Sequence, residues 1–307
     1  MTQIYTKIAL CKQCGAETVA HFIESTNCRA MDSDGCTYSM GYEPLEYILA
    51  MCPQCNFIGA SGEFKVTIKK PSKQHWVQDE KLRREYPASK RFIRYAERLT
   101  AEGAALREIG DSYLRASWAE RTCSVSRNRP PESVALEREC QLKAVRLYLS
   151  ALQQGALAPS AQHFYLVAEL YRRTGNFKAS IDYFDKAIAD IENESYYKLF
   201  LEDAGPQADV VWIRVRAHSS VQRGEWRQML NNLPAKMLGD LSLESAKEWE
   251  TRLTSVGAVI SIQDQSELPQ YRQECLSFVR EMREFAANED SENKPAQSGA
   301  GIVIYLS

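Results

Sequence analysis

A chain of 307 residues is long enough for two domains, which excludes a single small stapled module. Apolar residues at 44% and charged residues at 25% match ordinary globular proteins and exclude general disorder. With 38 Lys and Arg against 40 Asp and Glu, the net charge of -2 leaves no whole-chain attraction to nucleic acid or anionic lipid.

Residues 1–72 read as short strands and turns. Thr18 to Ile23, Tyr47 to Met51 and Phe64 to Lys69 are β-prone runs, and Asp32-Ser33-Asp34-Gly35 is a turn signal between the first two. The opening residues lack the apolar segment of a signal peptide, and no run approaches the roughly 18 to 20 apolar residues that cross a bilayer. A soluble cytoplasmic protein with no membrane partner is therefore expected.

Nine cysteines are present, six of them before residue 56. In a reducing compartment such clustering points to metal rather than disulfides. Cys11-Lys-Gln-Cys14-Gly15 and Cys52-Pro-Gln-Cys55-Asn56 each have the form of a zinc knuckle: two intervening residues let one tight turn present both thiolates. The position after each pair favours positive φ, which Gly accepts freely and Asn tolerates. Four thiolates complete a tetrahedral, closed, structural site, so Cys11, Cys14, Cys52 and Cys55 are the expected zinc ligands. The 37 residues between Cys14 and Cys52 exceed the common ribbon spacing of roughly 15 to 20 and must form a folded excursion. Within it, Cys28 and Cys36 are expected to be packed or free thiols, with ligand exchange, a redox C-x-x-C and a rubredoxin-like iron site as the competing readings.

From Lys73 the spacing turns helical. Helices are expected over Lys73 to Tyr86, Ala88 to Cys123, Ser133 to Gln154, a segment ending before Gly175, and Phe177 to Ile191. Others follow at Ala208 to Gln222, around Trp226, Leu243 to Thr254 and Glu267 to Ala287. Ala161 to Asp190 resembles a tetratricopeptide repeat: small Ala168, Ser180 and Ala187 let two helices approach, while Phe164, Tyr171, Phe177 and Phe184 fill the space around them. The expected fold is α+β, a small β-rich zinc ribbon (1–72) followed by a mostly α tetratricopeptide-like domain (73–287) and a flexible tail (288–307). The apolar Gly301 to Leu306 in that tail reads as a strand that docks on a sheet edge.

The stretch from Lys65 to Arg98 holds eleven Lys or Arg against four acids, with Trp76, Tyr86, Phe92 and Tyr95 interleaved. It is the best nucleic-acid candidate in the chain, but a solvated helix face over a domain junction, with Trp76 and Phe92 as core, is the preferred reading. Arg172, Arg173 and Lys178 read as solubilising surface charges. The histidines, His21, His75, His163 and His218, have no paired-ligand spacing, and the glycine-rich nucleotide motifs and G-x-S-x-G are absent.

Cys11-x-x-Cys14-Gly15, then Asp32-Ser33-Asp34-Gly35-Cys36-Thr37-Tyr38 with Glu43-Pro44-Leu45-Glu46-Tyr47, then Met51-Cys52-Pro53-Gln54-Cys55-Asn56-Phe57 resemble an uncharacterised bacterial domain family of unknown function. The resemblance covers about the first 230 residues and implies a ribbon-like cysteine domain joined to tetratricopeptide-like helices, with no activity attached. Asn56 stands where that family usually has glycine. The functional expectation is a non-enzymatic zinc-binding scaffold or adaptor for a partner protein or peptide. Nucleic-acid binding through the basic segment and a thiol redox sensor are the alternatives.

Overall fold

The computed structural model describes residues 3–40, 42–122, 129–218, 222–265 and 268–291. They form an α+β protein whose contacts divide it into two compact units. One runs to Asp185 and resumes at Met282; the other is Lys186–Glu281.

In the first unit, β1 (Gln3–Leu10) pairs antiparallel with β2 (Glu17–Ser25), and β3 (Cys28–Met31) with β4 (Thr37–Ser39). β5 (Leu49–Met51) pairs with β6 (Ile58–Ala60), and the short β7 (Lys65–Val66) adds to the far side of β1, giving the order β2-β1-β7. Of the turn signals, Asp32-Ser33-Asp34-Gly35 is the β3–β4 hairpin, closed by Gly35 at φ 82 and by Asp32 N–H donating to the Cys36 carbonyl at 2.8 Å. Alternation decides the faces. Ala9 and Ala20 point with Ala50, Cys52, Phe57 and Phe64 into a small core under the cysteine turns.

Five helices follow: α1 (Lys73–Glu85), α2 (Ala88–Ala101), α3 (Leu106–Thr122), α4 (Pro131–Gln153) and α5 (Ala161–Arg173). Where the sequence suggested one helix from Ala88 to Cys123, the structure has two. Gly103 at φ 70 ends α2, with Ala104 N–H donating to the Leu99 carbonyl at 3.0 Å, because the left-handed turn satisfies the helix's last carbonyls at no Cβ cost. Apolar residues at three- and four-residue spacing, Ala88, Phe92, Ala96 and Leu99 on α2 and Cys140, Ala144, Tyr148 and Ala151 on α4, are buried. Leu45, Leu49 and Ile58 from the strand region share a core with Phe92, Ala116 and Ala119, so the ribbon and the first helices are packed together.

α6 (Phe177–Glu192) follows α5 through Gly175 at φ 76, and the two meet in the ring pairs Phe164–Tyr183, Tyr165–Phe184 and Tyr171–Tyr183. Ala168, Ser180, Phe184 and Ala187 are fully buried.

The second unit holds what the helical reading missed. β8 (Tyr196–Asp203) is the centre of an antiparallel sheet ordered β10-β8-β9, with β9 (Ala235–Leu241) and β10 (Val259–Gln265) at its edges. α7 (Ala208–Val215), α8 (Arg223–Leu230) and α9 (Leu243–Thr254) contribute Val211, Val215, Trp226, Trp249 and Leu253 to a core with Leu199 and Leu201 of β8. α10 (Gln270–Ser291) begins in this unit and ends in the first. Among the described residues, no helix is long and apolar enough to cross a membrane. The Gly301 to Leu306 expectation lies outside the described residues.

Candidate metal centre

The two C-x-x-C segments sit at the tips of two hairpins, and their backbones repeat one another. At the β1–β2 tip, Gly15 N–H donates to the Cys11 carbonyl at 2.9 Å and Cys11 N–H to the Ala16 carbonyl at 2.9 Å. At the β5–β6 tip, Asn56 N–H donates to the Cys52 carbonyl at 3.0 Å and Cys52 N–H to the Phe57 carbonyl at 2.8 Å. Gly15 and Asn56 hold the same left-handed conformation, φ 73 and φ 59, so the asparagine does the work of the usual glycine.

The tips face each other. All four Sγ atoms lie within 4.8 Å of one another, with Cys11 to Cys55 at 3.6 Å and Cys14 to Cys52 at 3.5 Å. These separations are too long for a disulfide, whose sulfurs sit about 2.05 Å apart. Four sulfurs at about 2.3 Å from a central ion stand roughly 3.8 Å apart in a tetrahedron, which the observed spacing approaches. The cluster could thus hold a metal ion, and an all-sulfur donor set favours zinc or iron over hard cations.

Burial pushes the Cys52 thiol up to about 12, whereas the Ala16 backbone N–H holds the exposed Cys14 below the usual thiol range. A cation among the sulfurs overrides both, since a coordinating thiol is deprotonated outright. Cys11 and Cys52 are buried, Cys55 is half-buried and Cys14 faces solvent. Beside them Lys12 and Arg98 lie over the Phe57 ring, at 4.9 and 4.8 Å from its centre, and both pair with Glu63 at 3.0 and 2.7 Å.

Cys28 and Cys36 do not join the group. Cys28 Sγ lies 3.1 Å from the Ala30 carbonyl, and Cys36 is buried beside Asp34 and Arg121, its thiol pushed far up by burial. No histidine is in the cluster. His21, buried on β2, has Nε2 3.1 Å from Asp79 and Nδ1 3.0 Å from the Thr6 hydroxyl, while burial holds its pKa below the usual imidazole value.

The basic segment is partly consumed inside the fold. Arg91 is buried and donates to the carbonyls of Tyr86, Leu49 and Glu46 at 3.0, 2.8 and 2.8 Å. Arg83 binds Asp79 and the Glu46 carbonyl, Arg98 binds Glu63 and Glu102, and Lys69 binds Glu17.

Sequence reasoning missed a buried ionic network at the β3–β4 turn. Arg121 binds Asp32 at 2.6 Å, Asp34 at 2.8 Å and Glu137 at 2.8 Å. Ser33 donates to Glu169 at 2.6 Å, and Glu169 in turn accepts from both Arg172 and Arg173 at 2.8 Å. Trp118 Nε1 donates to Asp34 at 3.2 Å and the Tyr165 hydroxyl to the Ser33 carbonyl at 2.8 Å. Arg172 and Arg173 are buried ligands of this network rather than surface charges, a correction of the sequence reading. The one available signal was the motif itself: two aspartates in a turn too polar to be buried unpaired.

No curated protein and no solved structure matches this chain. The family model for an uncharacterised protein conserved in bacteria, DUF2225, matches residues 4–204, so the paired knuckles, the Asp-Ser-Asp-Gly turn and the helices through α6 fall within it; the chain belongs to that family.

Proposed function

We propose that the protein is a non-enzymatic scaffold, stapled by one zinc ion on Cys11, Cys14, Cys52 and Cys55, that takes a partner protein or peptide on its helical surface. The convergence of four thiols from two hairpin tips carries the zinc reading. A closed four-sulfur shell leaves no open position for substrate or water, which is the arrangement of a structural rather than a catalytic zinc. Iron in the same shell would make the centre redox-active, so the identity of the metal is the first thing to measure.

The partner reading is supported by the groove between α3, α4 and α5, where Leu114, Trp118 and Leu166 lie beside Arg107, Arg115 and His163. Asp111, Tyr148 and Gln162 complete the lining, so three apolar side chains stand among polar and charged ones that could pair with a peptide's own groups. The arginines that the fold already uses weigh against the nucleic-acid alternative.

The test is elemental analysis of the purified full chain with thiol counting before and after chelation. One equivalent of zinc and four newly reactive thiols are expected. Iron, or no metal with all thiols reactive from the start, overturns the zinc staple. For the scaffold, a stoichiometric protein should co-purify from the native source, and purified material saturated with nucleic acid refutes it.

A further inference from the structure

α3 carries its charged side chains in a row. Arg107, Asp111 and Arg115 are four residues apart and stack one turn above another, with Trp118 a turn further on. This row is one wall of the groove that α4 and α5 complete, a cavity of about 240 Å³ whose apolar side chains are Leu114, Trp118 and Leu166. Its charges are not balanced from within. Asp111 is the one carboxylate among the described residues that line it. One Asp111 oxygen accepts the Tyr148 hydroxyl at 2.7 Å, and Arg107 stands 3.9 Å from the other, at the outer limit of an ion pair. Arg115 is exposed and has no ion pair or hydrogen bond among the described residues. Both guanidiniums lie near enough to the Tyr148 hydroxyl to oppose the rise that burial gives its pKa.

Exposed arginines on a helix are ordinary. What distinguishes these two is where the groove leads. Trp118 stands between the groove and the β3–β4 turn: its Nε1 donates to Asp34 at 3.2 Å, and the backbone of Gly35 passes so near that a Cβ there would stand 3.8 Å from the indole ring. Beyond Trp118 the same two helices, α3 and α5, already hold an acidic stretch of chain. Arg121 binds Asp32 and Asp34, and Arg173 lies 3.5 and 3.7 Å from them. The carboxylates of the turn are thus neutralised where they stand, and they neither engage Arg107 and Arg115 nor repel another acid beside them.

We propose that the groove takes an acidic peptide segment of a partner protein, with Arg107 and Arg115 binding two of its carboxylates and Leu114, Trp118 and Leu166 receiving an apolar side chain. This rests on the reading of the groove as the partner site and gives that partner its chemistry. Two observations select the occupant: the unanswered positive charge of the lining, and the continuity of the groove with a place where α3 and α5 bind aspartates of the chain itself. Geometry adds a spacing. Arg107 and Arg115 are about 12 Å apart along the helix axis, and an extended peptide covers that distance in about four residues. Carboxylates four positions apart, with an apolar residue midway, fit the lining.

Fluorescence anisotropy of labelled peptides, titrated at low salt with the full chain as purified, tests this. The probes are Ser-Glu-Ser-Leu-Ser-Glu-Ser, its counterpart with Gln for Glu, and its counterpart with Ser for Leu. The parent peptide should bind about tenfold or more tightly than either counterpart. Arg107→Gln with Arg115→Gln should abolish the preference for Glu over Gln and leave the affinity for the Gln peptide as it was. Both positions are exposed, so folding is retained, and circular dichroism checks that it is. If none of the three peptides binds, the groove is no partner site and this inference falls with that reading. Equal affinity for the Glu and Gln peptides leaves the partner site standing and overturns its acidic preference. A preference that survives the arginine substitutions places the acid-binding site elsewhere and also overturns the proposal. So does tighter binding of a peptide copying residues 298–307, which would assign the groove to the chain's own apolar tail.

Discussion

Arg121 is the residue on which the β3–β4 turn depends. It answers three buried carboxylates, those of Asp32, Asp34 and Glu137, and is itself buried. Removing one partner of such a set leaves charge in a low-dielectric interior, so Arg121→Ala should cost about 3–5 kcal/mol of stability, read from the urea midpoint. The same network has a pH signature. Burial alone would raise the Asp34 carboxyl, but the Arg121 and Arg173 guanidiniums outweigh it and hold the group at about 2. A folded-state pKa below the unfolded value contributes stability that is complete above about pH 4 and is lost as pH falls towards 2. Acid also strips thiolate-bound metal, so the comparison is between the parent and Asp34→Asn, both metal-free. The parent should lose about 2 kcal/mol more between pH 5 and pH 2, and parallel curves would refute the assignment. This residue-level difference explains what the sequence disclosed. The four clustered cysteines were legible because two residues between thiols is a local constraint. Arg121 and Asp34 are 87 positions apart, and nothing in an acid or an arginine marks which will be buried.

At the scale of elements, legibility followed regularity. α4, α5 and α9 have apolar residues at three- and four-residue intervals and lie close to where spacing placed them. β9 carries Gly239 and Asp240, the latter at φ 58, and its pairing with β8 shifts register, so no period of two survives in its sequence. β10 alternates only weakly, because most of its residues are half-exposed at a sheet edge. α1 makes the opposite point: its helical pattern was clear although it has no buried residue. What holds it is its polar contacts with β2 together with the Trp76 ring, 6.0 Å from that of His21, each modest in a partly wet setting. Amide hydrogen exchange should therefore find α1 exchanging faster than α2, whose Phe92 and Ala96 are fully enclosed. Asp79→Ala removes the shared acceptor of His21 and Arg83 and should raise exchange across Lys73–Glu85 severalfold while leaving α2 unchanged. Protection of α1 equal to that of α2 in both proteins would mean that the polar contacts are not what retains it.

At the scale of the whole molecule, each unit has a core built from its own residues. The one around Leu199, Leu201, Val211 and Trp226 draws only on residues of Lys186–Glu281, and the sulfur cluster only on residues before 56. Helical spacing running past Lys186 gave no hint of this division, since short helices alternate there with strands and the periodicities overlap. Two perturbations should consequently have separable effects. Chelation would remove the tie that the proposed ion makes between the β1–β2 and β5–β6 tips, where the small core of Ala9, Ala20, Ala50, Phe57 and Phe64 offers little apolar area to hold them. Gly205→Ala acts in the other unit. Gly205 has φ 63, and a Cβ there would stand 2.1 Å from the Gly257 carbonyl oxygen, a backbone clash that no side-chain rotation relieves. Gly103→Ala is the control: its φ of 70 is similar, but its Cβ would meet nothing within 4 Å. Only the left-handed backbone penalty of about 1–2 kcal/mol then applies, and Gly205→Ala should exceed it clearly. Exchange measured by mass spectrometry should rise in β1, β2, β5 and β6 on chelation with β8 to β10 unmoved, and in β8 and α9 for Gly205→Ala with the hairpin tips unmoved. If chelation loosened β8 as much as β1, the separate cores would not unfold separately, and the division of the chain would be one of contacts alone.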